Sequence, residues 1–174
     1  MAEDTPPTDD ATNPQPPQRS RSGLLWKVPL GLLGVLLLIQ LVPYGRAHTN
    51  PPVKTEPAWT TPKVEQMAMA ACADCHSNAT KWPWYTNIAP ASWLIQRDVD
   101  EGRSRMNWSE GCASADDVKE AIAGGEMPPI QYTIKHADAR LSKAEKQQLA
   151  DGLAASIDNA SGTWHECGRR GGRD

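Results

Sequence analysis

The five residues Cys72-Ala73-Asp74-Cys75-His76 constrain this chain more than any other stretch. Two thiols three positions apart lie one helical turn from each other, so both sulfurs can meet the same edge of a planar ring. The histidine directly after the second thiol then comes beneath that ring. This C-x-x-C-H spacing is the attachment pattern of a c-type haem, in which the thiols add to two vinyl groups and the imidazole takes the proximal iron position. A thioredoxin-like redox pair would need a βαβ setting, which the sequence does not offer. A zinc site would need a second ligand pair, and Cys112 and Cys167 stand alone.

The surroundings of the motif predict helices. Thr61 followed by Pro62 is a helix start, a hydroxyl N-cap with proline at the first helical position. Val64, Met67, Ala68 and Ala71 then recur at helical spacing and lead into the thiols. Pro90 opens a second helix over Ala91–Arg103, with Trp93, Leu94 and Arg97 expected on a shared face. Ser114 caps a short helix carrying Val118, Ala121 and Ile122 and ending at Gly124-Gly125. Ser142 and Glu145 form a capping box before Leu149, Leu153 and Ile157, with Gly152 weakening that helix. No alternating run is long enough for a sheet, so the expected fold class is all-α, a small cytochrome c-like domain over residues 61–160.

An N-terminal segment precedes it. Residues 1–22 hold five prolines and almost nothing apolar, which predicts a disordered tail. From Gly23 to Tyr44 the chain is apolar with Lys27 as its one charge, long enough for a bilayer if Lys27 snorkels. Arg19, Arg21 and Lys27 on the N-terminal side predict a cytoplasmic N-terminus, and Trp26 and Tyr44 lie where interfacial aromatics are favoured. The expectation is therefore a single-pass transmembrane anchor in the cytoplasmic membrane with the haem domain outside. A cleaved signal peptide is the rival, since Gly45-Arg46-Ala47 offers small residues for a peptidase. Residues 45–60 are proline-rich and read as a stiff extended spacer, and residues 161–174 as a flexible basic tail. A formal net charge of −3 gives no basic field for nucleic acid.

Four residues could close the distal side of the iron: Met106, Met127, His136 and His165. Met127 is favoured because Gly124-Gly125 end a helix and Pro128-Pro129 stiffen the backbone just after it, so the loop can present a thioether at a fixed point. His136 is the alternative, and a five-coordinate iron remains open.

Together these residues resemble the bacterial haem-binding domain family. The resemblance runs from Cys72–His76 through Ser77-Asn78-Ala79-Thr80-Lys81-Trp82-Pro83-Trp84-Tyr85-Thr86-Asn87-Ile88-Ala89-Pro90 and Ser92-Trp93-Leu94. It continues in Asp98-Val99-Asp100-Glu101-Gly102-Arg103, Gly125-Glu126-Met127-Pro128-Pro129 and Tyr132-Thr133. Gln40–Gly45 and Asn50-Pro51-Pro52 belong to it as well, so it reaches from Gln40 to Ile157. It implies a cytochrome c-like, usually membrane-anchored haem domain. Cys112 and Cys167 fall outside that pattern.

Seven tryptophans and no phenylalanine make the aromatic packing depend on indoles, which want a partner for their N–H when buried. Trp82, Trp84 and Tyr85 are candidates to wall a haem or to donate to its propionates, with Arg97, or else Arg103, pairing the charge. Cys112 and Cys167, if exported, are candidates for a disulfide. The expected function is electron carriage by one covalent haem c, exchanging with a respiratory oxidoreductase or oxidase. A peroxidase-type haem enzyme and a haem-based sensor of a small ligand are the alternatives. Against them stand the lack of a clear distal Arg/His pair and of a cytoplasmic signalling domain.

Overall fold

The computed structural model describes residues 22–160, 164, 165 and 167. The expected disordered tail, except Ser22, and most of the basic tail lie outside them. The chain divides into two compact units between Leu38 and Ile39.

The first unit is formed by α1 (Ser22–Ile39), a helix with Pro29 inside it. From Leu25 to Leu38 its large apolar side chains stand exposed, so no single stripe is turned to a core. Eighteen residues span about 27 Å at the helical rise, just short of the roughly 30 Å of a hydrocarbon layer. Among the described residues, no helix is long and apolar enough to cross a membrane.

The regular elements described in the second unit are all helical. That unit contains α2 (Pro62–Ala71), α3 (Ala73–His76), α4 (Ala91–Arg105), α5 (Ala115–Ala123), α6 (Ile130–Lys135) and α7 (Lys143–Asn159). Three short 3-10 turns, at Trp84–Asn87, Trp108–Glu110 and Ala137–Ala139, link them. Among the described residues there is no strand, only isolated bridges of Cys112 with Asn107 and His165. The starts follow the sequence: Thr61 accepts from the Val64 amide with proline at the first turn. Ser114 accepts from Asp117, and Ser142 and Glu145 close a reciprocal capping box.

The core lies between α2, α5 and α7. Val64, Met67 and Ala68 meet Val118, Ile122, Leu149, Leu153 and Ile157, with Trp108 beside them. Leu149 and Leu153 are almost wholly buried, each stabilising the fold by about 1.5–3 kcal/mol of apolar transfer. Gly152 lets α7 approach α2. A Cβ there would fall 2.3 Å from the Val64 Cγ2 methyl, so glycine's cost in a helix, about 1 kcal/mol, is set against close packing.

In α4 the buried residues are Ser92, Val99 and Gly102. Leu94 and Arg97, expected with Trp93 on a shared face, are exposed, whereas Trp93 is half-buried. The face is fixed by Gly102, which packs against the thiol motif, and not by the larger apolar residues at the start of the helix. The α6 helix is also unanticipated: Pro129 keeps the stiff link extended (φ −63°, ψ 146°) and at the same time serves as the N-cap of a six-residue helix. Cys112 and Cys167 form a disulfide, with their Cα atoms 4.9 Å apart.

Residues 45–60 have no regular structure, but they do not stand off as a free spacer. Gln40 exchanges hydrogen bonds with the backbone of Ala89, donating at 2.9 Å and accepting at 3.0 Å. Arg46 donates to the carbonyl and side chain of Gln40. Gly45 has a positive φ, and a Cβ there would fall 2.1 Å from the Ser92 carbonyl oxygen. Further on, Asn50 donates to Thr80 O at 2.8 Å and Pro52 O accepts from Asn78. The amides of Lys54 and Thr55 both reach Ser109 O. The segment is a strap bound along the domain, because backbone carbonyls and polar side chains of the domain satisfy its polar groups.

Candidate haem site

Helix α2 ends at Cys72, whose backbone (φ −129°, ψ −32°) departs from the helix and serves as N-cap of α3. The amides of Cys75 and His76 then both bond to Cys72 O, at 3.1 and 2.9 Å, and this turn brings the two thiols and the imidazole together. Side chains hold the turn from outside. Ser77 Oγ donates to Ala73 O at 2.7 Å, Thr80 Oγ1 to Asp74 O at 2.7 Å, and the Lys81 amide to the Asp74 carboxylate at 3.0 Å. The Tyr132 hydroxyl donates to the other Asp74 oxygen at 2.8 Å. From α4, Gly102 leaves room for the motif, since a Cβ there would lie 2.4 Å from Cys75 O.

His76 is buried, and its Nδ1 lies 3.1 Å from Met106 O. A carbonyl only accepts, so Nδ1 carries the proton and donates. That fixes the tautomer and leaves Nε2 as the nitrogen with a free lone pair, the arrangement found in metal-binding histidines. Burial lowers the imidazole pKa below its ordinary value, opposed by the carbonyls of Met106 and Gly102. The neutral ring required of a ligand is therefore the favoured form.

Cys72 and Cys75 are free thiols. Burial, reinforced by the neighbouring Cys75, pushes Cys72 up to about 12. Burial together with the carboxylates of Asp74 and Asp98 pushes Cys75 up to about 11. Both remain protonated near neutral pH. Since Cys112 and Cys167 are joined to each other, the two thiols on the motif are left over for other chemistry. Two free thiols one turn apart beside a neutral imidazole with a free Nε2 match the donor set of a covalently held haem.

The distal candidates separate by position. Met106 supplies its backbone carbonyl to His76 Nδ1, and its side chain is packed on the core. His165 is exposed and its backbone pairs with Gly111 and Ala113. The His136 ring stacks on Tyr132 with centroids 4.0 Å apart. Met127 is half-buried and packs on the core that Cys72 also borders. The amides of Glu126 and Met127 both bond to Ala121 O, at 3.0 and 3.1 Å, which ties the loop to the end of α5.

The aromatic block is spread out. Trp82 stacks on His48 and donates to Asn50, so its N–H is engaged by the strap. Trp84 is 75 % exposed and meets Tyr85 edge-on. Arg97 is exposed and paired with Glu101 one turn along α4. Arg103, ranked behind it from sequence, is the arginine at the motif. It donates to Ser77 O at 2.9 Å and to Thr80 Oγ1 at 2.9 Å, and also to Thr49 O and Asn50. Sequence reasoning also missed Asp74, Gly102 and Tyr132 as supports of the motif. All three lie in stretches that carry the family resemblance, which was the available signal.

Residues 34–155 match the model of a family described as a haem-binding domain. No curated protein and no solved structure matches the chain.

Proposed function

Because the chain belongs to the haem-binding domain family, we propose that it is a monohaem c-type cytochrome carrying electrons on the extracytoplasmic face of the membrane. Cys72 and Cys75 would hold the haem through two thioethers, and His76, through Nε2, and Met127 would ligate its iron. The observation that carries this reading is the bond from His76 Nδ1 to Met106 O beside two free thiols. When bound, the haem iron supplies one-electron exchange between its ferric and ferrous forms.

The chain's own residues do the rest. The Met106 carbonyl orients the imidazole and raises its basicity as a ligand. Arg103 and Thr80 close the loop after the motif, and the Met127 thioether would serve as the second iron ligand, which raises the reduction potential. With both positions filled there is no open site for a substrate, so the protein's task is docking and exchange with a respiratory oxidoreductase or oxidase. The apolar stretch 23–44, which runs past the end of α1 and has Arg19, Arg21 and Lys27 towards its N-terminal side, tethers the domain with its N-terminus in the cytoplasm.

Three measurements on the full-length protein test this. Haem should stay with the polypeptide through acid–organic extraction, and Cys72→Ser should leave a single thioether. The ferrous form should ignore carbon monoxide; rapid binding would replace electron carriage by an enzyme or sensor function. An alkaline carbonate wash should leave the protein in the membrane pellet, and its release would overturn the tether.

A further inference from the structure

We propose that Tyr132 is a positioning residue for the distal side of the haem: its hydroxyl bonds the attachment motif and thereby fixes where the Met127 loop stands. The inference rests on the reading of Met127 as distal ligand and extends it to a residue outside the coordination sphere.

Only Pro128 and Pro129 stand between Met127 and Ile130, the first residue of α6. A Pro-Pro link has fixed φ at both positions, so a displacement of α6 passes into the loop with little loss. The loop's other end is tied to α5 through Ala121 O. Its position relative to the motif therefore depends on what α6 holds. Tyr132 Oη lies 2.8 Å from Asp74 Oδ2 and 3.3 Å from Ala70 O. One hydroxyl has one proton, and the nearer, charged acceptor takes it.

Asp74 is itself inside the C-x-x-C-H turn, and its second oxygen accepts from the Lys81 amide. The proximal turn and the distal loop thus share one carboxylate–phenol contact. At its other end α6 is held by Arg140, which donates to Thr133 O and Ile134 O; neither of those bonds touches the motif. His136, stacked on the Tyr132 ring, adds stiffness to the phenol without reaching Asp74. Burial, together with the carboxylate of Asp74, raises the Tyr132 hydroxyl well above its ordinary value, which keeps the donor protonated.

A methionine thioether is a weak ligand on a flexible side chain, so coordination by it is sensitive to where its backbone is held. Loss of the Tyr132–Asp74 bond should let the loop sample positions in which the thioether is off the iron. The test compares the full-length, haem-loaded protein with its Tyr132→Phe variant, which keeps the ring stacked on His136 and removes only the hydroxyl. In Tyr132→Phe, covalent haem and helical signal should persist. The near-infrared sulfur-to-iron band of the oxidised form should weaken, and the ferrous form should bind carbon monoxide about tenfold faster or more, as expected for loss of a charge-assisted bond. Asp74→Ala should reproduce both changes, and Asp74→Asn, whose one carbonyl oxygen cannot accept from both the Lys81 amide and the Tyr132 hydroxyl, should leave a band between those of Asp74→Ala and wild type. The Asp74 pair also serves if Tyr132→Phe fails to load haem.

A Tyr132→Phe protein with an undiminished band and no carbon monoxide binding overturns the inference alone, even if its denaturation midpoint has dropped. A wild-type protein without the band, or a Met127→Ala protein that retains it, removes the Met127 reading and this inference with it.

Discussion

Gly102 stands against Cys75 with no space for a methyl group: a Cβ on Gly102 would fall 2.4 Å from the Cys75 carbonyl oxygen and 2.9 Å from its Cβ. The atoms in the way belong to backbone and to the first carbon of a side chain, so a rotamer change cannot relieve the clash. Gly102→Ala must instead push α4 off the motif, at a cost of about 1–3 kcal/mol as for other overpacked sites. Because α4 also delivers Met106 O to His76 Nδ1, the displacement should disturb the imidazole as well. Urea denaturation should show a lower midpoint, and the fraction of chain carrying covalent haem should fall. Wild-type stability together with full haem loading would contradict the close contact.

The disulfide makes a separate prediction. Cys112 and Cys167 are 55 residues apart, and a cross-link over a loop of that size contributes about 2–4 kcal/mol in the chain-entropy description. Replacing both with serine should lower the denaturation midpoint accordingly while leaving the haem spectrum unchanged, because neither sulfur belongs to the motif. A double variant as stable as wild type would show that the cross-link contributes little; a changed spectrum would place it closer to the haem than its residues suggest.

How much of this was legible beforehand differs by element. The caps at Thr61, Ser114 and Ser142 are local hydrogen-bonding patterns, so the sequence located α2, α5 and α7 well. The inward face of α4 was not legible, because it is set by a glycine whose importance exists only once Cys75 lies opposite. The same holds for Gly152, which reads as a helix breaker until Val64 is found 2.3 Å from where its Cβ would be. The α6 helix has six residues and no polar cap, too short to show periodicity. The strap read as a spacer because its prolines are visible in sequence, while the side chains that bind it, those of Asn78 and Arg103 among them, come from far along the chain.

The contact that leads into the strap is open to direct measurement. Ala89 is almost fully buried, and its N–H and C=O are both satisfied by the Gln40 side chain. Gln40→Ala leaves two buried backbone groups without those partners, each worth about 1–3 kcal/mol when left unsatisfied. The variant should unfold at lower urea and be cut faster by protease between residues 45 and 55. A free spacer would respond in neither assay, so unchanged stability and unchanged cleavage would return residues 45–60 to that role.

Further along, the strap should respond to pH. Hydrogen bonds from Lys54, and then from Asn78, hold the Glu110 carboxyl below its ordinary value of 4.5. A carboxylate whose pKa is depressed in the folded state contributes stability that is fully present above the unfolded value and is lost as pH falls through the folded one. The window is therefore acidic, beginning near the ordinary value and extending downward. The Lys54 and Glu110 side chains are 67 % and 30 % exposed, so solvent screens the pair and the effect should be local, not global. The reporters are the Lys54 and Thr55 amides, which donate to Ser109 O at 2.8 and 3.2 Å. Their hydrogen-exchange protection, corrected for intrinsic rates, should decline as the solution is taken below about pH 4.5, while amides of α7 keep theirs. In Glu110→Gln the same two amides should be less protected already at neutral pH and should lose the acid dependence. Protection that stays level through the acidic window in wild type, or a Glu110→Gln protein that retains the dependence, would assign the transition to another group.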